Sequence, residues 1–364
     1  MKRATRPRRV LFAVPFPAGE AASQRFRFEL YYEALRESGV EFEHAAFWDA
    51  KTWSVLYRGG HVGTKLAGLL QGFLRRLLLL LRLGRFDLVF VHREMTPIGP
   101  PVFEWVAAKV VRKPMVYDFD DAIWLRHASD ANRFMERFKS YRKVGRICRW
   151  ADRVSVGNEF LAGYAGRFNP DVVTNPSSTN TDDHHNRIKV AADGAPVVGW
   201  TGSHSTLEYL APLVPILDEL AAEVAFRFVV IADRAPPFAS SRIEFVPWDK
   251  QREIEDLLSF DIGVMPLADT EWARGKCGFK IIQYMALGIP PVASPVGANA
   301  HIIDHGVDGF LCADAEEWKT ALRALILDPE LRARIGRAAR EKAVTRYSAK
   351  ANAGRFLATL GIER

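Results

Sequence analysis

The chain has 364 residues, 48% of them hydrophobic, enough to bury two ordinary cores, so two domains are expected. Its three cysteines, Cys148, Cys277 and Cys312, have no paired spacing, which excludes a disulfide framework and a structural zinc site and fits a reducing compartment. The net charge of +7 is uneven, with 31 Lys+Arg against 20 Asp+Glu in residues 1–190 and 19 against 23 in residues 191–364. A basic first half suits an anionic surface or acceptor, while scattered basic residues without a recognition motif argue against nucleic acid.

The chain opens on a basic patch and the apolar run VLFAV before Pro15. That run is too short for a signal peptide and predicts a first β-strand over residues 10–14. A Gly/Pro loop and a helix over 23–37 follow, with Ser23, Gln24, Arg25 and Arg27 just beyond the loop. Arg25 and Arg27 are two apart and point in different directions on a helix, so at most one can aim at a given anion. After a strand over 40–46 comes the segment KLAGLLQGFLRRLLLLLRLGR, residues 65–85. Its longest apolar run is five leucines, far short of the ~18–20 residues needed to span a bilayer. At 100° per residue Arg75 and Arg82 fall within ~20° of each other, with Arg76 and Arg85 to either side and a broad leucine face remaining. Two readings stand: a helix lying on an anionic leaflet, or a core-packed helix with an arginine-bearing outer face.

The strand over 87–91 ends in His92, Arg93 and Glu94, at the carboxyl edge where open parallel sheets bind ligands. A buried, hydrogen-bonded histidine is the alternative. A helix over 101–111 leads to a strand at 115–117 and the tract MVYDFDDAIW, with Asp118, Asp120 and Asp121. Asp118 and Asp120 could bridge Mn²⁺ or Mg²⁺ to a diphosphate, line a ligand cleft, or pair with arginines such as Arg126. A charged helix over 132–150 and a strand over 153–156 come next. The polar tract TNPSSTNTDDHHN, residues 174–186, reads as a linker and puts a domain boundary near 185–195. His184 and His185 lie in it, and neither is assigned a metal.

The same rhythm then restarts, with strands at 197–200, 227–231, 243–246 and 262–266, helices at 206–220 and 252–258, and helical sequence from 318 onward. Such alternation predicts parallel sheets covered by helices. In VVGWTGSHST, Gly199 and Gly202 allow close backbone approach, and Ser203 or Ser205 could cap the next helix. A plain strand–turn–helix explains the tract equally well, and two glycines are not a dinucleotide fingerprint. In KCGFKIIQYMALGIPPVAS, Arg274 precedes Lys276 by two residues, and a helix starting near Phe279 places Lys280 in its first turn. A lysine there opposes the helix dipole, a conflict that a bound phosphate removes, and Gln283 follows on the same face. Solvated lysines on an ordinary αβ unit are the blander reading.

Residues 276–312, KCGFKIIQYMALGIPPVASPVGANAHIIDHGVDGFLC, resemble the nucleotide-sugar-binding segment of family 4 glycosyltransferases, retaining enzymes of the GT-B fold. ASQRFRFELYYEAL, DLVFVHRE, PMVYDFDDAIW, ADRVSVGNEFLAGYA, VVGWTGSHSTLEYL and DIGVMPLAD occur in that family's order. The resemblance implies an α/β chain with two Rossmann-like αβ domains facing a cleft. Residues 1–190 would bind acceptor and 191–364 the nucleotide-sugar, with the last helix crossing back to the first domain. It implies donor contacts from Gly202, Ser203, Arg274, Lys276, Lys280 and Gln283, acceptor contacts from Arg25 and Asp118, and catalytic roles for Asp120 and His92. No metal or other cofactor is expected, the nucleotide-sugar being a substrate, and the acceptor would be a glycan or lipid-linked. Gln283 stands where the family usually has the second of two paired glutamates, and Gly275 stands at the first. The arginine and lysine that usually grip the diphosphate are missing from VVGWTGSHST. An inactive GT-B-like scaffold and a sugar-nucleotide epimerase are therefore the competing functions. The expected location is the cytoplasm, with peripheral contact at the inner face of the membrane through 65–85.

Overall fold

The computed structural model describes residues 8–126, 140–190, 193–238 and 242–362. The chain divides into two compact units, Met1–Pro176 with Ala353–Arg364, and Ser177–Asn352. In the first, β1 (Arg9–Val14), β2 (Glu41–Ala46), β3 (Leu88–His92), β4 (Met115–Phe119), β5 (Arg153–Val156) and β6 (Val172–Thr174) form one sheet in the order β2-β1-β3-β4-β5-β6. Every pairing is parallel. The middle strands LVFVH and MVYDF are buried at every position, as continuous apolar strands must be when both faces of a parallel sheet are covered.

The helices of this unit include α1 (Tyr32–Glu37), α2 (Val62–Arg82), α3 (Val102–Trp105), α4 (Lys143–Trp150) and α5 (Glu159–Ala165), with α3 continuing into a π-helical turn at Val106–Val110. The helix expected over 23–37 is broken into a turn at Ala22–Arg25, a 3₁₀ turn at Glu29–Tyr31 and α1. The buried Gln24 side chain is the reason, because it binds the Phe16 backbone N–H and C=O and the Glu29 carboxylate, pinning the loop across the helix start. The first part of the helix expected over 132–150 lies outside the described residues.

Helix α2 overturns the reading of an arginine-bearing outer face. Leu66, Leu70, Leu74, Leu77, Leu78 and Leu81 are each more than half exposed, while Gly68, Gly72, Arg76 and Leu79 are buried. The glycines let the backbone close on its neighbours: a Cβ at Gly68 would lie 2.1 Å from Thr52 Oγ1, and one at Gly72 2.5 Å from the Phe47 ring. Arg76 donates to the carbonyls of Val14 (2.7 Å), Ala45 (2.9 Å) and Met95 (2.7 Å). Arg75 donates to Phe47 O and to Asp49. Backbone carbonyls at the ends of β1 and β2 need buried donors, and guanidinium groups supply several at once. Burial pushes the Arg76 guanidinium down to about 10, which leaves it charged at neutral pH.

The second unit repeats the plan with β7 (Val197–Gly202), β8 (Arg227–Ala232), β9 (Ile243–Pro247), β10 (Ile262–Met265), β11 (Pro291–Ala293) and β12 (Phe310–Leu311), in the order β12-β11-β10-β7-β8-β9. All of its pairings are parallel. Its helices include α6 (Leu213–Leu220), α7 (Glu253–Leu257), α8 (Phe279–Ala286), α9 (Ala315–Leu327), α10 (Pro329–Arg346) and α11 (Ala349–Thr359). The helix expected over 206–220 is instead a 3₁₀ stretch, His204–Leu210, followed by α6 beyond Pro212. Asp314 and Asp328 cap α9 and α10, and Pro329 occupies the first turn of α10.

The passage from the first unit to the second falls at Pro176–Ser177, earlier than the 185–195 expected from composition. The polar tract is packed rather than solvated: Ser178, Thr179 and His185 are fully buried. The Thr179 N–H donates to Tyr347 O, and Arg340 of α10 donates to Thr181 O and His185 O. Helix α11 carries the chain back into the first unit from Ala353, where Phe356 stacks on Tyr31 at 4.5 Å.

Candidate functional site

Two clusters sit at the carboxyl ends of the two sheets, where loops following parallel strands gather polar groups. In the first unit, β3 and β4 run in register with His92 opposite Asp118. The Asp118 carboxylate accepts from His92 Nδ1 at 2.8 Å, from Ser155 Oγ at 2.7 Å and from the Arg27 guanidinium. Arg27 also donates to Asn175 O, and Asn175 Nδ2 donates to Ser155 Oγ. Burial alone would raise the Asp118 carboxyl, but Arg27 and the His92 hydrogen bond outweigh it and hold it well below the usual carboxylate range. Because Asp118 is anionic, His92 Nδ1 donates to it. The His92 Nε2 is buried without a hydrogen-bond partner and lies 4.0 Å from Asp120 Oδ1.

This geometry corrects the reading of Asp118 as an acceptor ligand. It is 2% exposed and its oxygens are occupied, so it organises the strand ends from within. Arg27 is the arginine that binds Asp118, and Arg25 lies over the Phe26 ring at 4.7 Å. His92 is fully buried as well. Asp120 keeps 13% of its side chain exposed and accepts from Arg93 Nε and Nη2 at 2.9 and 2.8 Å. Arg93 also binds Asp121 at 2.6 Å. Burial would lower the Arg93 guanidinium, but Asp120 and Asp121 hold it above its ordinary value. Arg93 adopts φ 58°, a left-handed conformation uncommon for a non-glycine residue. Its N–H donates to Asp118 O, and its own carbonyl accepts from the Tyr117 hydroxyl, which fixes that turn. Among the described residues, no group of three or more His, Cys, Asp or Glu could hold a metal ion.

In the second unit, β7 ends at Gly202 beside the first turn of α8. A Cβ at Gly202 would fall 2.5 Å from the Trp200 ring and 2.8 Å from Lys280 Cε, so only glycine admits the lysine stem here. Lys280 Nζ lies over the Trp200 ring at 5.2 Å, and Lys276 Nζ lies over Trp272 at 5.3 Å. Helix α8 begins at Phe279 after Gly278, whose φ of 66° starts the helix from a left-handed residue. Gln283 is 4% exposed, and its Nε2 is buried without a partner. Ser203 Oγ pairs with Ser205 Oγ at 2.8 Å and caps nothing. The turn is held instead by Asp233 at the end of β8, which binds His204 at both its backbone N–H and Nδ1. Arg274 is engaged by Asp269 through two hydrogen bonds, 2.6 and 2.8 Å, which raise its guanidinium.

The structure thus brings Gly202, Lys280 and the α8 face carrying Gln283 together, and separately gathers His92, Asp118 and Asp120. It adds Arg93, Ser155 and Asn175 to the first cluster and Trp200, His204 and Asp233 to the second. Of these, only Arg93 left a trace in the sequence, as a charged residue at a strand end.

Residues 195–328 match the family model described as Glycosyl transferases group 1. A 100-residue stretch is 29% identical to N-acetyl-alpha-D-glucosaminyl L-malate synthase of Bacillus anthracis, covering 27% of this chain and 25% of that protein. The matched part therefore spans a quarter of that relative's length. Among solved structures, sucrose-phosphate synthase of Thermosynechococcus elongatus superimposes with a TM-score of 0.69 at 15% identity, over 96% of this chain and 97% of that one. HepE of Anabaena, solved in complex with UDP, gives 0.64 at 15% identity over 97% and 99% of the two chains. A glycosyltransferase from Rickettsia africae gives 0.63 at 14% identity over 97% of each. Over residues 195–328 the chain is similar to the group 1 glycosyltransferases, and its two six-stranded parallel sheets have the GT-B fold of these solved structures.

Proposed function

We propose that the protein transfers a sugar from a nucleotide-sugar to a glycan or lipid-linked acceptor, with the second unit holding the donor. One observation carries this: Gln283 presents a buried, unpartnered amide on the same helix face as Lys280, whose stem is seated against Gly202. An orphaned buried donor costs stability unless a ligand completes it. A ribose beside Gln283 would satisfy the amide, and a phosphate over the first turn of α8 would lie on the same face as Lys280. As the glycosidic bond breaks, negative charge accumulates on the leaving diphosphate. Lys276, Lys280 and the amides of the Gly202–Ser203 turn would stabilise it.

This reading needs no metal, since the Asp118 and Asp120 carboxylates each already engage an arginine. Asp120, the more exposed of the two, is the acid we assign to substrate contact. His92 and Asp118 act through it as positioning residues, and the anomeric configuration is retained. UDP-sugars are the first donors to try, because HepE was solved with UDP, with UDP and glucose, and with UDP-glucose. The acceptor would belong to a bacterial surface polysaccharide or glycolipid assembled at the inner face of the cytoplasmic membrane.

Thermal stabilisation by UDP-, GDP-, ADP- and CMP-sugars, with and without EDTA and against Lys280→Ala, tests the donor site. A base-specific shift that survives EDTA and disappears in the variant supports the proposal. A shift without transfer or hydrolysis points to a scaffold, and donor conversion without acceptor points to an epimerase.

A further inference from the structure

We infer that the exposed leucine face of α2 docks the protein on an anionic bilayer surface. The outward leucines 66, 70, 74, 77, 78 and 81 span an arc of about 120° at 100° per residue. Leu81 is 84% exposed and Leu70 64%. Large apolar side chains seldom line one whole face of a helix in water. Here the arrangement is fixed from the other side, because Gly68, Gly72 and Arg76 permit only one orientation of the helix against its neighbours.

The apolar surface continues onto α3. Phe73, on the helix face next to Leu66 and Leu77, meets the Phe103 ring at 6.2 Å. Beyond it Val102, Trp105 and Val110 are each 45% or more exposed. A tryptophan at the rim suits the headgroup region, where an amphipathic ring has both environments. Lys113 ties the two ends together by donating to Gly84 O and Phe86 O, which brings the exposed Arg85 and Arg112 to one rim of the patch.

Charge selects the occupant. Of the seven Lys or Arg between Asp49 and Asp87, Arg76 is buried and Arg75 and Arg82 pair with Asp49 and Glu43, which leaves Lys51, Arg58 and Arg85 exposed, joined by the exposed Lys109 and Arg112 next to α3. A second copy of this chain would set that basic surface against itself in any two-fold contact. Anionic headgroups would instead be matched to it. No helix among the described residues is long and apolar enough to cross a membrane, so the geometry is that of a helix lying in the interface plane.

The test is flotation of the purified chain with vesicles of phosphatidylcholine alone and with 30 mol% (about a third) phosphatidylglycerol. Binding should be at least about tenfold stronger to the anionic vesicles and weaken as salt is raised. Leu70→Gln/Leu74→Gln/Leu81→Gln should lose at least about tenfold in partitioning, with an unchanged circular dichroism melt because these side chains are solvent-exposed. Arg85→Gln/Lys109→Gln/Arg112→Gln should remove the preference for anionic lipid while leaving the fold intact. Failure of the wild-type chain to float with anionic vesicles would overturn the inference. So would equal binding by the leucine variant, or a dimer in gel filtration that this variant converts to a monomer. None of these readouts involves a nucleotide-sugar, so the donor proposal stands or falls separately.

Discussion

Asp118→Asn replaces a buried anion with a neutral side chain of the same shape. In the folded protein that anion faces Arg27, His92 Nδ1 and Ser155, and both Asp118 and Arg27 are nearly fully buried. Removing one partner of a buried pair leaves the other charge uncompensated, which costs about 3–5 kcal/mol. A unit the size of Met1–Pro176 with Ala353–Arg364 loses about 2–4 °C of Tm per kcal/mol, so the expected fall is roughly 6–20 °C. Scanning calorimetry should show it, and Arg27→Met combined with Asp118→Asn should recover part of the loss, because the uncompensated charge is then gone. The pH dependence follows from the depressed folded-state carboxyl: the stabilisation is complete above the unfolded pKa of 3.8 and is lost as pH falls below it toward the folded value. In Asp118→Asn this acid-side loss should be shallower. A variant that melts within about 2 °C of wild type, within roughly 1 kcal/mol on the same scale, and yet has lost transfer activity would refute the reasoning. Asp118 would then be touching substrate rather than organising the strand ends.

Other expectations follow from the same structure. Gln283→Leu should weaken nucleotide-sugar binding about tenfold, roughly 1.4 kcal/mol, while raising the melting temperature of the free protein slightly, since it removes an unpartnered buried amide. Isothermal titration and a melt on the same sample read both. Gly202→Val should abolish donor binding by driving a side chain into Lys280 and Trp200, whereas Ser203→Ala should leave binding within about twofold, because Ser203 makes no cap. Arg76→Met removes a buried donor from three carbonyls and should cost about 3 kcal/mol or more in chemical denaturation, with vesicle binding retained in the fraction that folds. Cys148 and Cys312 are buried and their thiols are pushed up to about 12, so neither should react with a thiol reagent at pH 8 until the protein unfolds.

Both sheets were legible in the sequence. Buried parallel strands must be apolar without interruption, and VLFAV, LVFV and VVGW are. The short strands β6 and β12 left no such run to read. The start of α8 near Phe279 was also readable, because two lysines four apart lead into a short apolar run that carries Gln283 and stops at Gly288. Gln283 and Lys280 could be placed on one face from spacing alone.

Other features needed the fold. Periodicity gives the axis dividing arginines from leucines on α2 but not which side faces inward. That was decided by three carbonyls from distant parts of the chain and by two glycines that close on Thr52 and Phe47. Asp118 and Asp120 look alike in the sequence, yet one is sealed by Arg27 and the other stays partly open beside Arg93, because the strand ends at Phe119, between them. The polar tract 174–186 read as a linker because composition reports solvation only when no partner is near. Arg340 and the end of α10 provide those partners. The sequence by itself determined the alternating αβ plan and the lysine-bearing helix start, since both follow from local periodicity and chain geometry. Tertiary structure alone decided which charges are spent on the fold and which remain to meet a ligand or a membrane, since that depends on what residues tens to hundreds of positions away place beside them.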